Sequence, residues 1–242
     1  MGILDASVAV MTVADDRLSD MRRRCLADCE SQLRPVVGDE RWRVFRDDGR
    51  GCSENARQCW EWLAACDTEW AVLLQDDVMG CRDLANAMAA CFLCKPDDVH
   101  SMMDWTSWSV RAAENGLRWV SSRGNVYGGV TAMKRVDVIA MLKWVDECRG
   151  ADRKWPVDAD DAVVAAWCWH SGKRVVCSVP AIFQHMEPSN SLLGNNNRSR
   201  QCDICIAPEG SFWDIPPMSP GLCMMSPNSR APRGWIKQEF GV

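Results

Sequence analysis

No run of about eighteen apolar residues occurs anywhere in the 242-residue sequence, so no membrane-spanning helix is expected. The opening MGILDASVAVMTVADD has acids around its apolar run and no basic leader. It reads as a strand and not as a signal peptide. Ala6, where the N-myristoylation pattern wants Ser or Thr, removes lipidation as an expectation. Positive charge is not in excess either. Twenty-eight Lys and Arg face 33 Asp and Glu, for a net charge of −5, so the surface as a whole does not favour a polyanion. Histidine is scarce, at three residues, and tyrosine occurs once. No internal repeat is present.

What the chain does hold is 47% hydrophobic and 25% charged residues, ordinary for a soluble globular protein, and its length fits one large α/β domain or two small ones. It has 14 cysteines. Many of them (Cys25, Cys29, Cys59, Cys66, Cys91, Cys168) fall within helical patterns, and with no export signal they are expected to be reduced, buried thiols in a cytoplasmic protein. Two CxxC pairs, Cys91/Cys94 and Cys202/Cys205, could hold zinc, although the first lies in an apolar helical stretch and the two are far apart. From Arg198 onward the chain carries Arg198, Arg200, Arg230, Arg233 and Lys237, with Trp213 and Trp235 between them. Such a tail could meet a polyanion or be simply solvated.

The pattern alternates strand and helix. Ser7 to Val13 reads as a buried strand, and Arg17 to Leu33 as a helix stopped by Pro35. Trp42 to Arg46 is a second strand, followed by the turn-rich Asp47-Asp48-Gly49-Arg50-Gly51. A helix capped by Ser53 runs over Asn55 to Cys66. A third strand starts at Trp70, a helix covers Leu84 to Leu93, and a strand covers Val99 to Asp104. Asn115-Gly116 suggests a hairpin turn between Val110-Arg111 and Leu117-Val120. A Gly128-Gly129 strand spans Asn125 to Lys134, helices span Val136 to Cys148 and Asp158 to Ser171, and a last strand runs from Lys173 to Val179. Beyond His185 periodicity is lost. The expectation is a three-layer, mostly parallel α/β sheet, with residues 1–195 as the folded domain and 196–242 as an irregular Gly/Pro/Asn-rich tail.

Within that frame WAVLLQDDVMG poses a question: the apolar strand from Trp70 ends in two adjacent carboxylates, Asp76 and Asp77. In open α/β sheets ligands bind beyond the carboxyl ends of the strands. Paired carboxylates repel, and a hard divalent cation relieves them. An Asp-rich turn capping the next helix is the alternative.

The Asp pair does not stand alone. Pro156 to His185, PVDADDAVVAAWCWHSGKRVVCSVPAIFQH, gives an acidic helix start, an apolar helix, a glycine, a strand, a proline and a histidine. Together with the first half, this resembles the nucleotide-sugar glycosyltransferases of the GT-A fold over roughly residues 5 to 195. The resemblance implies transfer of a hexosyl or pentosyl group from a nucleotide-diphosphate donor to a hydroxyl, with Mn²⁺ or Mg²⁺. The family's Asp-any-Asp motif falls on Gln75-Asp76-Asp77. Asp77 would hold the cation, Asp76 and Gln75 would contact the donor, and Gln75 departs from the family's first carboxylate. His185 matches the late metal-binding histidine, with a packed core histidine as the alternative. Asp160 and Asp161 resemble the acidic pair that supplies the base of inverting members, unless they only cap their helix; Asp161 is favoured because it adjoins the apolar run Ala162 to Ala166. Thr12, Arg17, Asp47 and Arg57 match the donor region by position. Gly128 and Gly129 match the segment that runs past sugar and acceptor.

Thirteen Trp, a single Tyr and a surplus of Cys and of Arg over Lys suggest a GC-rich genome. Viral members of the family glycosylate modified DNA bases, so phage DNA is an expected acceptor and a host cytoplasm the expected setting. The alternatives are a nucleic-acid-binding protein using its Trp- and Arg-bearing tail, and a zinc-stabilised interaction module built on the Cys pairs, neither of them catalytic.

Overall fold

The computed structural model describes residues 4–103, 107–124, 126, 128–149, 160–186, 205–206, 210–211 and 219–224. The basic tail residues, Cys202 and Asp158 lie outside the described residues.

The first half follows the expected alternation. β1 (Ala6–Thr12), α1 (Asp20–Val37), β2 (Trp42–Arg46), α2 (Cys52–Ala65) and β3 (Trp70–Gln75) form in order. β4 (Val78–Gly80), α3 (Leu84–Cys94), β5 (Val99–Ser101), α4 (Ser107–Glu114), β6 (Leu117–Ser122), β7 (Val130–Lys134) and α5 (Arg135–Arg149) follow. α6 (Asp160–Ser171), β8 (Val175–Ser178), β9 (Phe183–His185) and β10 (Ser219–Met224) complete the described elements. Eight strands make one sheet in the order β10-β6-β8-β5-β7-β3-β1-β2, while β4 and β9 pair separately. β1 lies parallel to β2 and β3, β5 to β8, and β10 to β6. β7 runs antiparallel between β3 and β5, and β6 antiparallel to β8. The segment after residue 196, read from sequence as aperiodic, thus supplies β10 to the sheet.

Three layers follow from the period-2 alternation of the central strands. Ala6, Val8 and Val10 of β1, with Trp70, Val72 and Leu74 of β3, pack on Cys29 and Leu33 of α1 and Met88 and Cys91 of α3. The interleaved Ala9, Met11, Ala71 and Leu73 pack instead on Trp60 and Leu63 of α2, Met141 of α5 and Val163 of α6. Each central strand is buried on both faces, so it reads as a continuous apolar run.

Several boundaries differ from the sequence reading, β5 among them, which ends at Ser101. α1 continues through Pro35 to Val37, because Pro35 sits in the final turn, where a missing N–H costs one bond. The helix ends instead at Gly38 (φ 94°), whose amide bonds the Arg34 carbonyl at 2.9 Å. α2 begins after Gly51, with no side-chain cap, so Ser53 is inside the helix. The supposed first arm of a hairpin is helix α4, which buries Ser109 and Ala112. Asn115-Gly116 closes that helix, Gly116 taking φ 63° and donating to the Ala113 carbonyl at 2.9 Å. Finally β7 starts only at Val130, after Gly129 turns the chain with φ 112°.

Candidate active site

β3 ends at Gln75, and Asp76 and Asp77 form the turn into β4. This turn lies at the carboxyl end of β1 and β3, the edge at which open α/β sheets bind ligands. The ladder between β4 and β9 pairs Val78 with His185, and the Met186 amide donates to the Asp77 carbonyl at 2.9 Å. Backbone pairing therefore places His185 beside Asp77, with its Nε2 3.3 Å from Asp77 Oδ2. Both side chains are buried.

Asp76 is held from three directions. Thr12 Oγ1 donates to Asp76 Oδ2 at 2.5 Å, and the Val13 amide donates to the same oxygen at 3.2 Å. Arg22 Nη1 bonds Asp76 Oδ1, and Arg22 Nη2 reaches Asp77 Oδ2 at 3.1 Å. A single guanidinium thus bridges both carboxylates, in a fork geometry that lysine could not reproduce. Burial would raise the Asp77 carboxyl, but the His185 hydrogen bond and the charges of His185 and Arg22 outweigh it and hold it below the ordinary carboxylate value. For Asp76 burial prevails over Arg22 and Thr12, and the carboxyl is pushed up.

Sequence reasoning missed Arg22. It lies on the buried stripe of α1 with Cys25, Cys29, Leu33 and Val37, so a guanidinium at helical spacing on an apolar face was the available signal. Asn55 was missed too. From α2 its buried amide donates to the Thr12 carbonyl at 3.1 Å and the Phe45 carbonyl at 3.2 Å, tying together the ends of β1 and β2.

The late helix meets the same edge. The Gly128 amide donates to Asp161 Oδ2 at 3.2 Å. A Cβ on Gly128 would sit 3.4 Å from that oxygen and 3.5 Å from Gln75 Nε2. The neighbouring Gly129 carbonyl accepts from the Gln75 amide at 2.7 Å. A Cβ on Gly129 would come within 2.8 Å of Met103 Sδ, so only glycine fits there. Gln75, Gly128 and Asp161, far apart in sequence, converge. Asp160 opens α6, and its side chain lies outside the described residues.

The remaining expected donor contacts divide. Arg17 is exposed and lines a cleft of ≈ 340 Å³ with Ala14, Asp16, Asp47, Asp48 and Gly49, beyond the ends of β1 and β2. Asp47 is committed partly to its own loop, since its Oδ1 accepts from the Gly49 and Gly51 amides at 2.9 and 3.0 Å. Arg57 does not line the cleft; it pairs along α2 with Glu61 at 2.8 Å. A larger cleft of ≈ 560 Å³ lies at the opposite end of the strands, bordered by Asp5, Arg41, Glu69 and Lys134. Its charges are largely matched in pairs, Arg41 with Asp5 at 3.1 Å and Lys134 with Glu69 at 3.5 Å.

Among the described residues no group of three or more His, Cys, Asp or Glu could hold a metal. Asp77 and His185 offer two donors. Each carries a buried atom without a hydrogen-bond partner, Asp77 Oδ1 and His185 Nδ1. Such atoms are costly to leave unmet. A divalent cation held by these two residues would need its other ligands from phosphate and water. The zinc reading gains no such support: Cys91 is buried and Cys94 exposed on α3. The twelve cysteines whose side chains are described are all free thiols. Burial pushes Cys91 up to about 12 and raises Cys29 and Cys168 further. No helix among the described residues is long and apolar enough to cross a membrane.

No protein-family model and no curated protein matches the chain. Among solved structures it is similar to a glycosyltransferase involved in the glycosylation of the major capsid of PBCV-1, at 13% identity and a TM-score of 0.43. That match covers 76% of this chain and 94% of the other. It is also similar to mannose-1-phosphate geranyltransferase from Thermus thermophilus, at 12% identity and a TM-score of 0.39, covering 72% of this chain and 73% of the other.

Proposed function

We propose that the chain is a glycosyltransferase that moves a hexosyl or pentosyl group from a nucleotide-diphosphate donor to a hydroxyl acceptor. One observation carries the reading. The Asp76–Asp77 turn, His185, Gln75, Gly128 and Asp161 gather at the carboxyl end of the central strands, although only Gln75 and the two aspartates are neighbours in sequence.

Charge counting gives the cation its place. Asp76 and Asp77 bring two negative charges and Arg22 one positive charge, leaving one negative charge facing an anionic diphosphate. Mn²⁺ or Mg²⁺ on Asp77 and His185 would reverse that sign and stabilise the departing diphosphate. Thr12 and the Val13 amide fix Asp76, and Arg22 locks the turn, so the site is ordered before donor arrives. The nucleoside would lie in the cleft between Ala14–Arg17 and Asp47–Gly49, with Arg17 toward phosphate. Gly128 leaves room for a sugar beside Gln75. Asp161, aimed at that space by the Gly128 amide, accepts the proton of the attacking hydroxyl. A hydroxylated base in phage DNA is the acceptor that the resemblance to viral members of the family implies, and reduced thiols suit a host cytoplasm.

The test is incubation of purified protein with a panel of nucleotide sugars and Mn²⁺, with and without DNA carrying hydroxymethylated bases, read by mass spectrometry. Donor cleavage by at least one sugar nucleotide, lost on chelation, is expected. No cleavage of any donor, with or without acceptor, would remove the proposal.

A further inference from the structure

Locking the turn does not account for the charge that Arg22 brings to it. A metal-binding carboxylate turn gains affinity from uncompensated negative charge, yet here a buried guanidinium already neutralises half of it. Arg22 is 7% exposed, and it reaches Asp76 Oδ1 with one nitrogen and Asp77 Oδ2 with the other. Its place is set by the helix, since Ser19 caps α1 by accepting from the Arg22 amide at 3.2 Å and the same stripe is buried through Cys25, Cys29 and Leu33. The other oxygen of Asp77 and the far nitrogen of His185 are left buried and unmatched. One side of the turn is therefore satisfied by a guanidinium, and the other keeps an unmatched carboxylate oxygen.

We propose that Arg22 is a built-in counter-cation that tunes how tightly the Asp77–His185 pair holds a divalent metal. The inference rests on the cation expected under the proposed function. With Arg22 in place the three charged groups sum to −1; with Arg22 neutralised they sum to −2; with Asp76 neutralised they sum to 0. Metal affinity should follow that order. One neighbouring charge at hydrogen-bond distance shifts a carboxylate's proton affinity by about tenfold to a thousandfold, and a divalent ion feels at least as much. The resident guanidinium thereby makes metal binding weak until a diphosphate adds its own negative charge, so that metal and donor bind best together.

The experiment is Mn²⁺ binding to the full chain without donor or acceptor, by electron paramagnetic resonance of the free ion and by thermal shift. Arg22→Gln should bind Mn²⁺ at least tenfold more tightly than wild type, and Asp76→Asn at least tenfold more weakly. Equal or weaker binding by Arg22→Gln would overturn the proposal. So would the absence of Mn²⁺ binding in all three proteins at millimolar concentrations. If Arg22→Gln shows no melting transition, Asp76→Asn decides alone: affinity equal to or above wild type counts against Arg22. Because no sugar nucleotide is present, the expected ranking in a protein that cleaves no donor would leave this inference standing while removing the transferase.

Discussion

Two of the three histidines are buried side chains in strands, and they could hardly differ more. His100 on β5 is enclosed by the rings of Trp70, Phe92 and Trp119, at centroid distances of 5.4, 5.3 and 6.1 Å. Its polar demand is met by one ring nitrogen, which donates to the Lys95 carbonyl at 3.0 Å. Burial, opposed by that hydrogen bond and by Asp98, lowers it to about 4. His185 on β9 faces a carboxylate already shared with a guanidinium and keeps a buried nitrogen unmatched. Burial of a histidine is therefore no mark of function. What separates the two is the company: aromatic faces and a satisfied bond in one place, charge and an unmet atom in the other.

The contrast can be tested by damage at either pole. The largest effect is expected from Asp77→Ala, which should abolish transfer, a barrier increase of at least about 5 kcal/mol. Donor turnover within tenfold of wild type in a folded Asp77→Ala protein would place the chemistry elsewhere. Asp161→Asn comes next. It keeps shape and removes basicity, so turnover should drop roughly 10²–10⁴-fold while donor affinity persists. Normal turnover would mean that Asp161 only fixes the Gly128 amide.

At the aromatic pole the readout is stability. The unfolded imidazole takes up its proton near pH 6.5 and the folded one near 4. Between these values the unfolded chain binds more protons, so stability falls as pH drops through that window, by about 3 kcal/mol in all. Denaturant melts of wild type and His100→Leu at pH 7 and pH 4 check this, the variant losing less of its stability on acidification. An equal loss in both would assign the acid sensitivity to other groups. The smallest effect should come from His185→Gln, which removes one of two metal donors. Mn²⁺ binding should weaken about tenfold. Unchanged Mn²⁺ binding would move His185 into the class of His100.

Much of this was legible in the sequence, and the failures share a cause. The central strands were readable because each is buried on both faces, which writes a continuous apolar run such as Trp70 to Leu74. The Asp76–Asp77 turn was readable because it interrupts that run. Asp161 was legible as a position, from its place ahead of Ala162. The charge balance was not legible, because Arg22 reaches Asp76 across 54 positions of chain, and nothing local distinguishes it from Arg23 and Arg24 beside it except its phase on the helix. The misread hairpin has a related origin. Asn115-Gly116 favours positive φ equally after a strand or after a helix, and the burial of Ser109 and Ala112 decided for the helix.

The strand that comes latest in the described chain has a consequence of another kind. Among the described strands β10 lies outermost at one border of the main sheet, shielding β6 through the pairs Leu222 with Trp119 and Cys223 with Val120. An outermost strand invites a second molecule to add to it, since its outward amides and carbonyls are unclaimed. This one makes a poor template. Pro220 has no amide hydrogen, Gly221 contributes no side chain, and the register slips between Ser219 and Leu222. β6, by contrast, is regular and carries Trp119 and Val120 in mid-strand. Shortening the chain ahead of Ser219 would exchange an irregular border for a regular, apolar one, and the protein would be expected to self-associate.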